Sequence, residues 1–368
     1  MSAIGDIVFV SRTGEFAFSN PVDIVRATRL ADVKSCLQRV AAGVAQGLYA
    51  AGFLTYDAAP AFDAALCAYP PADLPLVWFG LYRAPAQPRQ SLSGEARTGS
   101  GKASFQVGPW KALVSAATYH EQIRRIRDLI VAGDTYQINY TFPLQADFQG
   151  DTLSWFRQLC ASQQADHCAY IQTGRFHLLS ASPELFFKKN ADELTTRPMK
   201  GTARRGRWPA EDCQAAQSLA TSSKERAENV MIVDVLRNDM GRVSRIGSVK
   251  VARLCELERY PTVWQMTSTV VSQSEASVPE IMAALFPSGS VTGAPKIRAT
   301  EIIRELEPYP RGIYCGTIGW WAPDGQAEFN VAIRTVTVDT ETGIARYHVG
   351  GGITHGSAPD KEYAECLA

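Results

Sequence analysis

The sequence predicts an α+β fold. Strand-like runs recur along the chain, and several amphipathic segments begin at recognisable helix caps. The two kinds do not alternate regularly, which argues against a doubly wound parallel sheet. No internal repeat and no low-complexity tract interrupts the pattern.

Residues 1–83 mix short strands with one good helix. Asp32 is placed to cap a helix reaching about Gln46, with Val33, Cys36, Leu37, Val40 and Val44 on one side. Ala51–Tyr56 and Leu76–Tyr82 read as strands. Residues 84–109, rich in Pro, Gly, Ser and Gln, read as a loop or lobe boundary. Thr118-x-x-Glu121 is a capping box opening a helix with Ile123, Ile126, Leu129 and Ile130 on one face, ended by Gly133. Strands follow at about Thr135–Ala146, Cys168–Gln172, Phe176–Ser180 and Leu185–Lys189. Ser222-x-x-Glu225 is a second capping box, opening a helix to about Asn238. Thr262–Val271 is extended, and Pro279–Phe286 and Lys296–Leu306 are helical. Ile313–Trp321, Glu328–Val338 and Ile344–Val349 read as strands, and Asp360–Ala368 as a last helix.

Composition excludes some functions. Lys+Arg and Asp+Glu are both 37 among 368 residues, a balance with no electrostatic footprint for nucleic acid or an anionic membrane. No apolar run reaches the roughly 18 residues of a membrane span. The N-terminus lacks the basic and long apolar regions of a signal peptide. The eight cysteines form no C-x-x-C pair and read as reduced packing residues. The chain therefore reads as a cytoplasmic protein, and its length suggests about two domains.

Three features carry chemistry. Lys200 sits in Thr196-Arg197-Pro198-Met199-Lys200-Gly201-Thr202, a potential amine nucleophile among small residues. Glu225/Glu228 and Glu362/Glu365 are each spaced three apart in helix-like sequence, so each pair shares a helix face. Such pairs are ordinarily solvated. Here Glu228 borders an apolar run and Glu362 follows Gly350-Gly351-Gly352, where backbone can approach a ligand. Four converging carboxylates would raise each other's pKa values, and a hard cation would relieve the repulsion. Oxygen-only ligands point to Mg²⁺. The third feature is Ser288–Lys296, whose spacing fails the phosphate-loop pattern; a helix starting near Pro295 would still attract a carboxylate. The glycines at 350–352, 316 and 319 suit the same role, with tight turns as the alternative.

Taken together, GDTYQINYT (133–141), SPELFF (182–187), RPMKGTARRG (197–206), ERAENVMIVDVLRND (225–239), SGSVTGAPK (288–296), RGIYCGTIGW (311–320), AIRTV (332–336) and GGGI…EYAE (350–365) resemble the chorismate-utilising enzymes. That family includes the anthranilate, aminodeoxychorismate, isochorismate and salicylate synthases. The resemblance covers about residue 118 to the end; before that it rests mainly on GFLTYDAAPAFD (52–63). It implies a four-layer α/β/β/α sandwich of two packed, mainly antiparallel sheets with helices outside. Residues 1–105 would form an N-terminal lobe contributing to that sandwich, and 106–368 the chorismate-binding catalytic domain.

The resemblance also implies roles. Glu228 and Glu365 would hold Mg²⁺, with Glu225 and Glu362 reaching it through water. Tyr314 and Arg334 would meet the enolpyruvyl carboxylate of chorismate. Gly201, Thr202, Thr292 and Gly350, Gly351 and Gly352 would wall the pocket, and Glu184 would be the general acid at the departing 4-hydroxyl. Family members that add water carry a lysine where this chain has Gln137, which argues against isochorismate and salicylate synthesis. Lys200 is characteristic of the aminodeoxychorismate branch, in which it would act as covalent nucleophile. Many relatives have histidine where this chain has Gln265, so no proton transfer is assigned there. Ammonia would come from a separate glutamine amidotransferase subunit, because no Cys/His constellation here suits glutamine hydrolysis. The resemblance expects no tryptophan feedback, since the Leu-Leu-Glu-Ser-like segment is absent. The chain stops three residues after Glu365, as a truncated chain or one without a fused C-terminal lyase domain would. The rival expectations are anthranilate synthase component I and an inactive chorismate-binding scaffold.

Overall fold

The computed structural model describes residues 4–86 and 104–367. The loop expected at 84–109 falls largely outside them. In chain order the first half comprises β1 (Ile7–Ser11), β2 (Gly14–Phe18), β3 (Asp23–Ala27), α1 (Leu30–Ala45), β4 (Tyr49–Leu54) and β5 (Val77–Tyr82). Then come β6 (Phe105–Val107), β7 (Lys111–Ala112), α2 (Ala116–Val131), β8 (Gln137–Gly150), α3 (Thr152–Gln163), β9 (His167–Gln172) and β10 (Phe176–Ser182). The chain continues through β11 (Leu185–Asn190), β12 (Glu193–Arg197), β13 (Met199–Arg204), α4 (Pro209–Thr221), α5 (Ser223–Gly241), β14 (Lys250–Arg259) and β15 (Val263–Gln273). It ends with α6 (Val278–Leu285), β16 (Gly293–Ala294), α7 (Lys296–Leu306), β17 (Thr317–Trp321), β18 (Ala327–Val331), β19 (Thr335–Asp339), β20 (Ile344–Ile353) and α8 (Pro359–Leu367).

The strands form two sheets. The first runs β16-β8-β20-β19-β10-β9-β1-β2, with β6 and β7 also on β8. The second runs β13-β15-β12-β11-β18-β17-β4-β5-β3, with β14 on β15. Each pairing between these strands is antiparallel. β1 and β2 join the first sheet, and β3, β4 and β5 the second.

Period-two side chains build the layers. On β4, Ala50 and Leu54 pack with Val33, Leu37 and Val40 of α1, while Ala51 and Phe53 pack with Ile7 of β1 and Ile171 of β9. On β9 the same alternation sends Cys168 and Tyr170 towards Trp155 and Phe156 of α3. Each sheet therefore has one face against the other sheet and one under helices. That is the expected four-layer sandwich.

Several local expectations are corrected. Arg29, not Asp32, is the N-cap of α1; Asp32 lies in the first turn and accepts from Arg29 Nε at 2.7 Å. Ser115, not Thr118, caps α2, its hydroxyl accepting from Thr118 N at 3.1 Å. Ser222 does cap α5, accepting from Glu225 N at 3.3 Å. The run read as one strand over 328–338 is two strands in different sheets, β18 and β19, because the backbone breaks at Arg334 with φ 49°. The strand expected from Ile313 starts at Thr317, since Gly312 and Cys315 take φ values of 58° and 63°. Gly350, Gly351 and Gly352 are not a turn but part of β20, paired with Thr141, Tyr140 and Asn139 of β8.

The cysteines are all free; Cys213 is exposed on α4, so it is not a packing residue. Among the described residues no helix is long and apolar enough to cross a membrane.

Candidate active site

β13 ends the second sheet order and β8 stands next to the end of the first, and Lys200 of β13, Gln137 of β8 and Gly352 of β20 meet between the sheets. Lys200 sits in β13, where the ladder to β15 slips between Met199↔Thr267 and Thr202↔Gln265. Such a bulge re-aims a side chain. Gly201 inside it has φ 98°, which favours glycine, and a Cβ there would lie 3.1 Å from Glu225 Oε2. Two side-chain amides hold the bulge. Asn229 Nδ2 donates to Lys200 O at 3.3 Å, and Gln265 Nε2 donates to Gly201 O at 3.0 Å. Gln265 also accepts from Thr202 Oγ1 at 3.0 Å, so the position without the relatives' histidine is a brace.

Across the gap, a Cβ on Gly352 would lie 2.5 Å from Gln137 Nε2 and 3.0 Å from Lys200 Nζ. Only a glycine leaves room for both. Gln137 is fully buried, and neither its Nε2 nor its Oε1 has a hydrogen-bond partner. Glu184 lies where the chain passes from β10 of the first sheet to β11 of the second. It is 3 % exposed, beside Leu185, Phe186 and Phe187, and its Oε1 is also unpaired. Burial pushes the Glu184 carboxyl up to about 7, opposed by the Ser290 hydroxyl, the Lys200 charge and the Met199 N–H. Burial also lowers the Lys200 pKa, opposed by the charges of Glu228 and Glu184. Burial thus moves both groups towards their neutral forms.

The four glutamates come from α5 and α8. Burial raises the pKa of Glu228, opposed by Lys200 and Lys224 and reinforced by Glu225. Burial raises that of Glu365 too, reinforced by Glu362 and Glu225. A Cβ on Gly351 would lie 3.6 Å from Glu362 Oε2. Both helices therefore present their carboxylates towards the Lys200–Gly201 bulge and the β20 glycines. Among the described residues no three His, Cys, Asp or Glu side chains close into a preformed metal cage. Mg²⁺, which keeps waters, would take one or two of these carboxylates plus substrate oxygens. Glu228 Oε1, buried without a hydrogen-bond partner, supplies the unsatisfied acceptor such a site needs.

Other predicted residues have partners of their own. Tyr314 is buried and stacks on His348 at 5.4 Å. Arg334 Nη1 donates to Gln163 Oε1 at 3.1 Å. Tyr347 stands close enough to both for its charge to couple to each, but no hydrogen bond joins Tyr314 to Arg334. Thr292 is buried with its hydroxyl donated to Ser288 O at 3.0 Å, so its carbonyl, accepting from Asn139 N at 2.7 Å, faces β8. Two cavities, of about 660 Å³ beside the start of α3 and about 280 Å³ near Val243 and Ala276, are lined by none of these residues.

Sequence reasoning missed the scaffold behind the site. Arg311 is fully buried: it pairs with Glu307, donates to Val291 O at 2.7 Å and Asn139 O at 2.6 Å, and stacks on Tyr56. Asp57 accepts from Gly312 N at 2.9 Å. Asn229, Ser290 and Arg311 all lie inside strings already quoted, and a buried arginine beside GIYCG was the available signal.

Residues 3–368 match the family model described as chorismate binding enzyme. The chain is 40% identical over 274 residues to aminodeoxychorismate synthase component 1 of Klebsiella aerogenes, covering 74% of this chain and 60% of that protein. It is 40% identical over 258 residues to the protein of the same name from Escherichia coli strain K12, covering 70% and 56%. It is 37% identical over 291 residues to anthranilate synthase component 1 of Streptomyces coelicolor, covering 78% and 56%. The chain thus spans little more than half the length of these curated relatives. Among solved structures, a putative 2,3-dihydroxybenzoate-specific isochorismate synthase of Bacillus anthracis aligns with TM-score 0.80 at 20% identity, covering 99% of this chain and 93% of that one. Anthranilate synthase component I of Streptococcus pneumoniae aligns with TM-score 0.80 at 23% identity, covering 100% and 91%. At that identity these two speak for the fold.

Proposed function

The chain belongs to the chorismate binding enzyme family, and from that premise we propose that it aminates chorismate at C4, giving 4-amino-4-deoxychorismate. The carrying observation is a desolvated amine, Lys200, and a buried carboxyl with an unpaired oxygen, Glu184, close enough for their charges to act on each other, the carboxyl raised to about 7.

The neutral Lys200 amine attacks C2 of the ring diene. The double bond shifts, the C4–O bond breaks, and Glu184 delivers its proton so that water leaves. Ammonia then adds at C4, the electrons return, and the C2–Nζ bond breaks to release Lys200. Proton loss from the new ammonium restores Glu184. Splitting one displacement into two lowers the barrier of a poor leaving group. Chorismate and ammonia give product and water, so atoms balance.

Glu228 and Glu365, with Glu225 and Glu362 behind them, would hold Mg²⁺, which when bound withdraws electron density through the ring carboxylate. Gln137, with two unpaired polar atoms, stands at the nucleophile's side and offers an amide where a base would activate water. Tyr314 and Arg334 would meet the enolpyruvyl carboxylate; an arginine fork suits it bidentately. Arg334 would have to exchange its bond to Gln163 for the substrate. Ammonia would come from a partner glutamine amidotransferase, which the component 1 names of the relatives support. The product would feed 4-aminobenzoate formation, for folate, in a cytoplasmic enzyme.

The test is chorismate with ammonium and Mg²⁺, products resolved by chromatography. Aminodeoxychorismate, abolished by EDTA and by Lys200→Ala under saturating ammonium, is the expected result. Full activity of Lys200→Ala refutes the nucleophile. Fluorescent anthranilate formed without a second enzyme refutes the C4 assignment, and no turnover makes the chain a binding scaffold.

A further inference from the structure

The mechanism above leaves Lys224 without a role. It is the second residue of α5, and its Nζ lies 3.8 Å from Glu228 Oε1, the buried oxygen with no hydrogen-bond partner. Its charge also acts on Glu365, which belongs to α8. An exposed lysine–glutamate pair four residues apart is usually of little consequence. This one is different in three respects. The carboxylate is nearly buried, at 13% side-chain exposure against 51% for the lysine. The order, lysine N-terminal to glutamate, is the less favourable one for a helix. A cation in the first turn also opposes the helix dipole. Helix stability therefore does not account for Lys224, whereas its ion pair with Glu228 and its charge acting on Glu365 do.

We propose that Lys224 holds the place of the divalent cation, its ammonium neutralising Glu228 and Glu365 until a metal ion displaces it. The proposal rests on the reading of these glutamates as metal ligands. Two positive centres cannot share one pair of carboxylates at close range without strong repulsion. Lys224 would thus weaken metal binding, and would keep α8 against α5 in the metal-free protein. Being half exposed on a flexible stem, it can swing away without disturbing the fold.

The test titrates the full chain with Mn²⁺ alone, following loss of the free-ion paramagnetic resonance signal. Lys224→Met and Lys224→Gln should bind about tenfold more tightly than wild type. Lys224→Arg, which keeps the charge, should bind like wild type. Arg226→Gln makes the same charge change on the same helix, away from both carboxylates, and should also bind like wild type. In the metal-free state, amide hydrogen exchange over 359–367 should be faster in Lys224→Met than in wild type, and Mn²⁺ should abolish the difference. Lys224→Met binding no more tightly than Arg226→Gln overturns the proposal while leaving the metal site intact. If wild type binds and Glu228→Gln binds equally well, the metal reading fails, and the proposal fails with it.

Discussion

Gly352 and Lys200 belong to different sheets, yet a Cβ on the glycine would lie 3.0 Å from the lysine Nζ. Strand β20 thus yields side-chain volume so that a residue of β13 can point at β8. The obstacles to a Cβ are the ends of two side chains, Gln137 and Lys200, rather than backbone, and these can move. Gly352→Ala should therefore keep a melting temperature near wild type. Displacing the amine by a few tenths of an ångström or more should cost roughly ten- to a hundredfold in amination. Steady-state kinetics beside thermal melts check both halves.

Glu184 should impose a pH dependence. Its carboxyl is raised by burial from 4.5 to about 7. Its contribution to stability is therefore whole below the unfolded value, about 4.5, and lost as pH rises through about 7. The full swing is on the order of 3 kcal/mol at 1.36 kcal/mol per pH unit. Turnover, which needs the protonated acid, should fall above about pH 7. Glu184→Gln should flatten the stability profile between those values and abolish that limb of the rate profile. Urea denaturation and turnover measured across pH 4–9 test this.

Asn229 spans two elements. Its Nδ2 donates to Lys200 O at 3.3 Å, while its Oδ1 accepts from Ser268 Oγ on β15. Asn229→Ala leaves a buried hydroxyl and a bulge carbonyl short of partners, costing about 1–3 kcal/mol. Activity at saturating ammonium should fall further than Ser268→Ala makes it fall, because the Asn229 side chain, unlike that of Ser268, bonds the Lys200 carbonyl. Equal losses in the two variants would rule out a positioning role.

Arg311 and Glu307 form an ion pair with side-chain exposures of 1% and 3%. Arg311→Met strands a buried carboxylate and should cost about 3–5 kcal/mol. Adding Glu307→Leu should recover part of that loss, because an apolar pair removes the uncompensated charge. Chemical denaturation of the two variants and the double variant gives the comparison.

Much of the scaffold was legible. The helix at 296–306 and the apolar stripe Val33–Val44 follow from a 3.6-residue period, a local property. Caps were less secure. Ser115 stands just three residues before Thr118, and which hydroxyl turns towards a free N–H depends on how the chain enters the helix. The break at Arg334 was not legible, because AIRTV keeps its strand-like composition while one residue adopts φ 49° and moves the chain between sheets.

By itself the sequence determined the inventory: an amine beside a glycine, a carboxylic acid next to phenylalanines, and two pairs of glutamates on helix faces, since spacing and residue type are properties of a segment. The tertiary structure decided which of these meet and in what state. It set Gln137 and Gly352 beside the amine, left Arg334 bonded to Gln163, and shifted the pKa values of Lys200 and Glu184 in opposite directions. Desolvation drives both shifts, and charges brought in from distant segments oppose them. Both depend on residues distant in the chain, so no local pattern can encode them.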